Sequence, residues 1–132
     1  MMNKPKLLIV EDEIESQKYL QLILRKHYDI DICDTKDSML SLLVKNEYDT
    51  IIMDISLKNG FTGIDLISEL KRHSVYKNIP IVCLSAHAYG ETRRQAERLG
   101  ADVYLTKPVS NKVLIETLEK LIIHTNYEGK ET

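Results

Sequence analysis

Tyr48-Asp49-Thr50-Ile51-Ile52-Met53-Asp54-Ile55-Ser56-Leu57 is the stretch that decides how the rest of the chain is read. Three consecutive apolar residues, Ile51, Ile52 and Met53, run straight into a carboxylate, Asp54. A short unbroken apolar run fits a strand covered on both faces, as in the middle of a parallel sheet. Taken alone, Asp54 is most simply the opening of a turn. Its place just past a strand end gives it a second meaning, because open α/β sheets bind ligands beyond the carboxyl ends of their strands.

Working outward toward the N-terminus, residues 6–10 read as a strand closed by Glu11, Asp12 and Glu13, followed by a helix that buries Leu20, Ile23 and Leu24. Residues 28–33 alternate, Ile30 and Ile32 against Asp29 and Asp31, as a strand with one better-covered face would. Asp34 or Thr35 can cap the next helix, whose apolar face is Met39, Leu40, Leu43 and Val44. On the other side, residues 58–63 are a loop with glycines at 60 and 63, and Ile64, Leu66, Ile67 and Leu70 form a helical face. Residues 79–84 are a fourth strand with Pro80 at its start, where no ladder donor is lost. A polar helix over 88–99 ends at Gly100, and a strand over 101–105 leads to Thr106, Lys107 and Pro108. The last helix, 110–124, buries Leu114, Leu118, Leu121 and Ile122, and 126–132 is expected to be a flexible tail. Five β-α units in series mean a parallel sheet with helices on both faces, connected by right-handed crossovers.

The chain of 132 residues fits one domain, expected over 1–125, and its 43% hydrophobic and 29% charged residues are ordinary for a globular protein. A net charge of −2 gives no electrostatic case for nucleic acid. No apolar run reaches the length of a membrane span, and the four apolar residues before Glu11 are too few for a signal-peptide core, so a cytoplasmic location is expected. Cys33 and Cys83 have neither metal-site spacing nor histidine partners and read as buried reduced thiols. His27, His73 and His124 are placed at helix ends, and Tyr19, Tyr48 and Tyr76 are packing or rim residues.

Because all strands of a parallel sheet point one way, the residues just past them share a rim. That rim collects Glu11 and Asp12, Asp54, Ser85 and Lys107. Carboxylates gathered there repel one another unless a cation intervenes. Oxygen ligands favour a hard divalent ion, and Mg²⁺ suits a site with few carboxylates and several retained waters. A lysine and a hydroxyl opposite it would complete a pocket for a phosphoryl group.

Ile-Val-Glu-Asp-Glu13, Ile-Met-Asp-Ile-Ser-Leu57, Leu-Ser-Ala86 and Gly-Ala-Asp-Val-Tyr-Leu-Thr-Lys-Pro108 together resemble the motifs of receiver domains from two-component response regulators, over residues 6–125. The resemblance implies a flavodoxin-like (βα)5 doubly wound sheet of strand order 2-1-3-4-5. It implies Asp54 as the phosphoacceptor, and Asp12, Asp54 and the Ser56 carbonyl as Mg²⁺ ligands, with Glu11 acting mainly through water. Lys107 is similar to the lysine that holds the phosphoryl group, Ser85 to the hydroxyl that moves on activation, and Tyr104 to the aromatic switch that follows it. Ser56 and His87 match the positions that tune phosphoryl lifetime, and the Lys107-Pro108 bond is implied to be cis. Lys58 and one extra residue in the 58–63 loop depart from the pattern.

The implied partners are a sensor histidine kinase or histidine phosphotransfer protein and an unidentified downstream protein, with no direct nucleic acid and no membrane. A homodimer through the face of the fourth helix, fifth strand and fifth helix is a further expectation, with Ile115 and Ile123 as an exposed apolar pair on it. A phosphoacceptor switch of this kind is not an enzyme toward other substrates. A phosphatase using an aspartyl-phosphate wants a second Asp where Ser56 stands. The other alternative is a degenerate receiver acting as a phosphorylation-independent interaction module.

Overall fold

The computed structural model describes residues 4–56, 62–86 and 90–131, with side chains described as far as Ile123. Strands β1 (Lys6–Val10), β2 (Asp29–Cys33), β3 (Thr50–Asp54), β4 (Ile81–Ser85) and β5 (Val103–Thr106) alternate with helices α1 (Ile14–Leu24), α2 (Lys36–Lys45), α3 (Gly63–Arg72), α4 (Glu91–Leu99) and α5 (Asn111–Glu131). The five strands form one parallel sheet in the order β2-β1-β3-β4-β5. This is the flavodoxin-like order expected from the motifs. Every residue of β3 and β4 is buried, as their unbroken apolar runs require.

Alternation along the strands divides the core in two. Leu7, Ile9, Ile52, Val82 and Leu84 face α1 and α5, where they meet Leu20, Leu24, Leu114 and Leu118. Leu8, Val10, Ile51, Met53, Ile81 and Cys83 face α2, α3 and α4, where they meet Met39, Leu43, Ile67 and Leu70. The edge strand β2 carries its aspartates outward, and Lys6 pairs with Asp29 at 3.3 Å and Asp31 at 3.5 Å. Cys33 and Cys83 are free and buried, and burial pushes both thiols up to about 12.

Three local expectations are corrected. Val44 does not join the apolar face of α2 and is 78% exposed. At 100° per residue it lies about 140° round from Met39, beyond the stripe that meets the sheet. Ile115 and Ile123 are not an exposed pair: Ile115 packs against the core under α1 and α5, whereas Ile123 is 69% exposed. Eight helical residues turn the chain through about 80° rather than a whole number of turns, which separates the two positions. The last helix runs through Glu131, so His124 lies within α5 and not at its end. No proline interrupts the sequence there. Of the other histidines, His73 is the C-cap of α3 and stacks on Tyr76 at 4.2 Å, and His27 follows the end of α1. Among the described residues no helix is long and apolar enough to cross a membrane.

Candidate functional site

The acidic groups converge because three strands end side by side. Val10 pairs with Met53 and Asp54 with Leu84, so Glu11, one step past β1, reaches the level of Asp54, the last residue of β3. The alternation that points Ile9 and Ile52 toward α1 and α5 carries Glu11 and Asp54 to the same side. Lys107, one step past β5, is anchored by its backbone N–H, which donates to the Ser85 carbonyl at 2.7 Å. Its Nζ then donates to Asp54 Oδ2 at 3.0 Å and lies 3.7 Å from Glu11 Oε1. The backbone N–H of Ser56 donates to Asp54 Oδ1 at 2.8 Å, so both oxygens of Asp54 are held. The Lys107-Pro108 peptide is cis.

Burial pushes the Glu11 carboxyl up, to about 7, and the Asp54 carboxylate adds to that push against the opposing Lys107. Burial alone would raise Asp54 too. Glu11, the Ser56 N–H and the Lys107 ammonium together outweigh it and hold Asp54 below the usual carboxylate range. Burial pulls Lys107 down, and the two carboxylates more than reverse it, leaving its pKa raised. The site is thus built to keep Asp54 an anion beside an ammonium, with Glu11 sharing the strain.

A divalent cation fits this arrangement. Glu11, Asp12 and Asp54 each offer an oxygen, and the three oxygens lie within 4.8 Å of one another. Both carboxylate oxygens of Glu11 are buried and the Lys107 ammonium stands 3.7 Å from one of them, beyond hydrogen-bond distance, so a closer cation would offset the cost of burying the charge. An all-oxygen donor set with few carboxylates suits Mg²⁺ and its retained waters.

Ser85 and Tyr104 fall on the other side of the sheet. Ser85 follows Ile81 and Cys83 in the alternation of β4 and is fully buried. Tyr104 belongs to the core under α4 and is 8% exposed, with the Arg93 guanidinium 5.4 Å from its ring centroid. Ser56 is exposed on the rim. His87 lies outside the described residues, as does most of the loop containing Lys58. Beside the acids a cavity of about 330 Å³ opens between α1 and the segment after β5, lined by Tyr19, Leu20, Leu84 and Val109 with Glu11 and Lys107.

Three features escaped the sequence reading. Gln17 Nε2 donates to the Glu11 carbonyl at 2.7 Å. Gly63 starts α3 so close to β3 that a Cβ there would sit 2.4 Å from the Asp54 carbonyl oxygen. Arg93 covers Tyr104. Of these, only the glycine left a trace in the sequence: at a helix's first residue it is a poor helix former and hints at a close backbone approach.

The profile of the response regulator receiver domain family matches residues 7–119. The phosphate regulon transcriptional regulatory protein PhoB of Escherichia coli is 32% identical over 118 residues, which are 89% of this chain and 51% of that protein. The chain therefore spans about half the length of these curated relatives. A putative response regulator from Chloroflexus aurantiacus superposes with TM-score 0.85 at 27% identity, covering 92% of this chain and 99% of that one. The receiver domain of the sensor histidine kinase PA1611 from Pseudomonas aeruginosa superposes with TM-score 0.82 at 25% identity, over 91% and 98% of the two chains, and holds a magnesium ion in its active-site cleft.

Proposed function

Since this chain belongs to the response regulator receiver domain family, a component of two-component signal transduction, we propose that it is a phosphoacceptor switch whose nucleophile is Asp54. The observation that carries the reading is the Lys107–Asp54 contact of 3.0 Å beside two further acids. In the transfer, an Asp54 oxygen attacks the phosphorus of a phosphorylated histidine. The O–P bond forms as the N–P bond breaks, and the imidazole nitrogen keeps the electron pair. Asp12, Asp54 and the Ser56 carbonyl, with Glu11 through water, would hold Mg²⁺, which would supply positive charge to the phosphoryl group during transfer. Lys107 already points its ammonium at Asp54 Oδ2 and needs to move little to meet the incoming phosphoryl oxygens.

The donor is a sensor histidine kinase or a histidine phosphotransfer protein in the cytoplasm. The magnesium-bound receiver of a histidine kinase among the structural neighbours supports both the metal and the donor class. Ser85 then turns to the acyl phosphate and Tyr104 packs behind it, which alters the surface of α4, β5 and α5. That surface meets a downstream protein or a second copy of the chain. Ser56 and His87 set the lifetime of the acyl phosphate, and the domain turns over no other substrate.

The test is incubation with a small acyl phosphate and Mg²⁺, followed by intact mass. One added phosphoryl group is expected, absent in Asp54→Asn and after chelation. An unchanged mass for the parent protein would instead favour the phosphorylation-independent interaction module.

A further inference from the structure

We propose that Gln17 is a positioning residue for the cation site: it holds the turn that carries Glu11 and Asp12, and thereby sets how tightly those acids grip a divalent ion. The proposal rests on the reading of that site as an Mg²⁺ site. The turn from β1 into α1 is fastened from two sides. On the β2 side, the Glu11 N–H donates to the Cys33 carbonyl at 2.9 Å. On the α1 side, the side-chain Nε2 of Gln17 donates to the Glu11 carbonyl at 2.7 Å, beside the first helical bond from its backbone N–H to the Glu13 carbonyl at 3.0 Å. Glu13, the N-cap of α1, makes no side-chain cap hydrogen bond. The amide of Gln17 adds a side-chain tie to this turn that the N-cap residue does not supply.

The restraint matters because of what it holds. Glu11 is 1% exposed and its carboxylate is met by the Lys107 ammonium only at 3.7 Å, so the backbone tie from Gln17 is the short contact that α1 makes to this residue. Adjacent acids also repel, and a loose turn would relieve that repulsion by splaying. A neutral amide resists the splaying without adding a charge that would compete with the ion, which a lysine or arginine could not do. Outer partners that orient metal ligands typically change affinity by about tenfold or more when removed.

The experiment is a calorimetric Mg²⁺ titration of the full chain without phosphodonor, comparing the parent, Gln17→Met and Gln21→Met. Methionine keeps the length of the side chain and removes the donor, and Gln21 is a control on the same helix. The expected result is a dissociation constant raised about tenfold in Gln17→Met only. A thermal melt adds a readout that a purely structural role would leave alone: the rise in Tm produced by Mg²⁺ should shrink in Gln17→Met. An equal dissociation constant in Gln17→Met and the parent overturns the proposal. If Gln17→Met does not fold, Gln17→Ala is held to the same criterion. A parent that binds no Mg²⁺ overturns the metal reading itself, and so is told apart from a failure of Gln17 alone.

Discussion

At Glu11 a carboxyl is buried at the end of a strand and faces a second carboxylate, and this makes the site sensitive to pH before any ligand arrives. Its pKa is pushed up to about 7 by burial, against an ordinary 4.5, so the folded protein binds the proton more tightly than the unfolded chain. Stability without metal should therefore fall as pH rises from about 4.5 to about 7, by at most on the order of 3 kcal/mol. Asp54 works in the opposite sense at lower pH: its depressed pKa contributes stability that is lost only as pH drops below the ordinary carboxylate range. Urea titrations in chelator at pH 5 and pH 7.5 check this, with Glu11→Gln expected to flatten the difference. Mg²⁺ should restore stability at pH 7.5 and do little at pH 5. That Glu11, Asp12, Asp54 and Lys107 come together was readable, because each ends or follows an apolar strand and a parallel sheet brings such residues to one rim, whereas the side of the sheet to which Ser85 turns was not. Gln17 and Arg93 were not readable, since a side chain reaching a carbonyl or a ring on another element leaves no periodic mark.

At the scale of the elements, the close junction of β3 and α3 is the most demanding fit. An alanine at Gly63 would improve helix propensity by about 1 kcal/mol. Its Cβ would also lie 2.4 Å from the Asp54 carbonyl oxygen and 2.7 Å from the Ile55 Cα, both backbone atoms that no rotamer change can move aside. The clash should win, and Gly63→Ala is expected to lose about 1–3 kcal/mol in urea denaturation. A neutral or stabilising result would mean that α3 slides freely on the sheet. Ten elements were legible as elements, because apolar runs and apolar stripes differ in period. Which side of a helix meets the sheet was legible only where the stripe is central. Val44 and Ile115 sit at stripe margins, where an angle of tens of degrees decides burial and the sequence alone does not set the helix's roll.

The whole molecule is a sheet with one core on each face, so its stability has two nearly separate sources. Leu70 lies in the core under α2, α3 and α4 and is 1% exposed; Leu118 lies under α1 and α5 and is fully buried. Truncating either to alanine should cost about 2–5 kcal/mol. With a strand layer between them and no shared partners, the two losses should add, and the double variant should lose most of a typical domain's 5–15 kcal/mol. Chemical denaturation of the two single variants and the double variant reads this directly; a double loss well below the sum would mean that the faces relax together.

The same layered topology sets where other protein can be attached. Pro5, just before β1, lines a hollow together with Ile122 and Ile123 of α5 and His27 at the foot of α1. The start of the first strand and the body of the last helix thus meet at the edge of the sheet away from the acids. A neighbouring domain joined through the strand-start side would stand beneath the sheet and leave the way to Asp54 open. Such a fold would work as a socket with its wiring at the back, its acidic face left clear by whatever is joined at the strand starts.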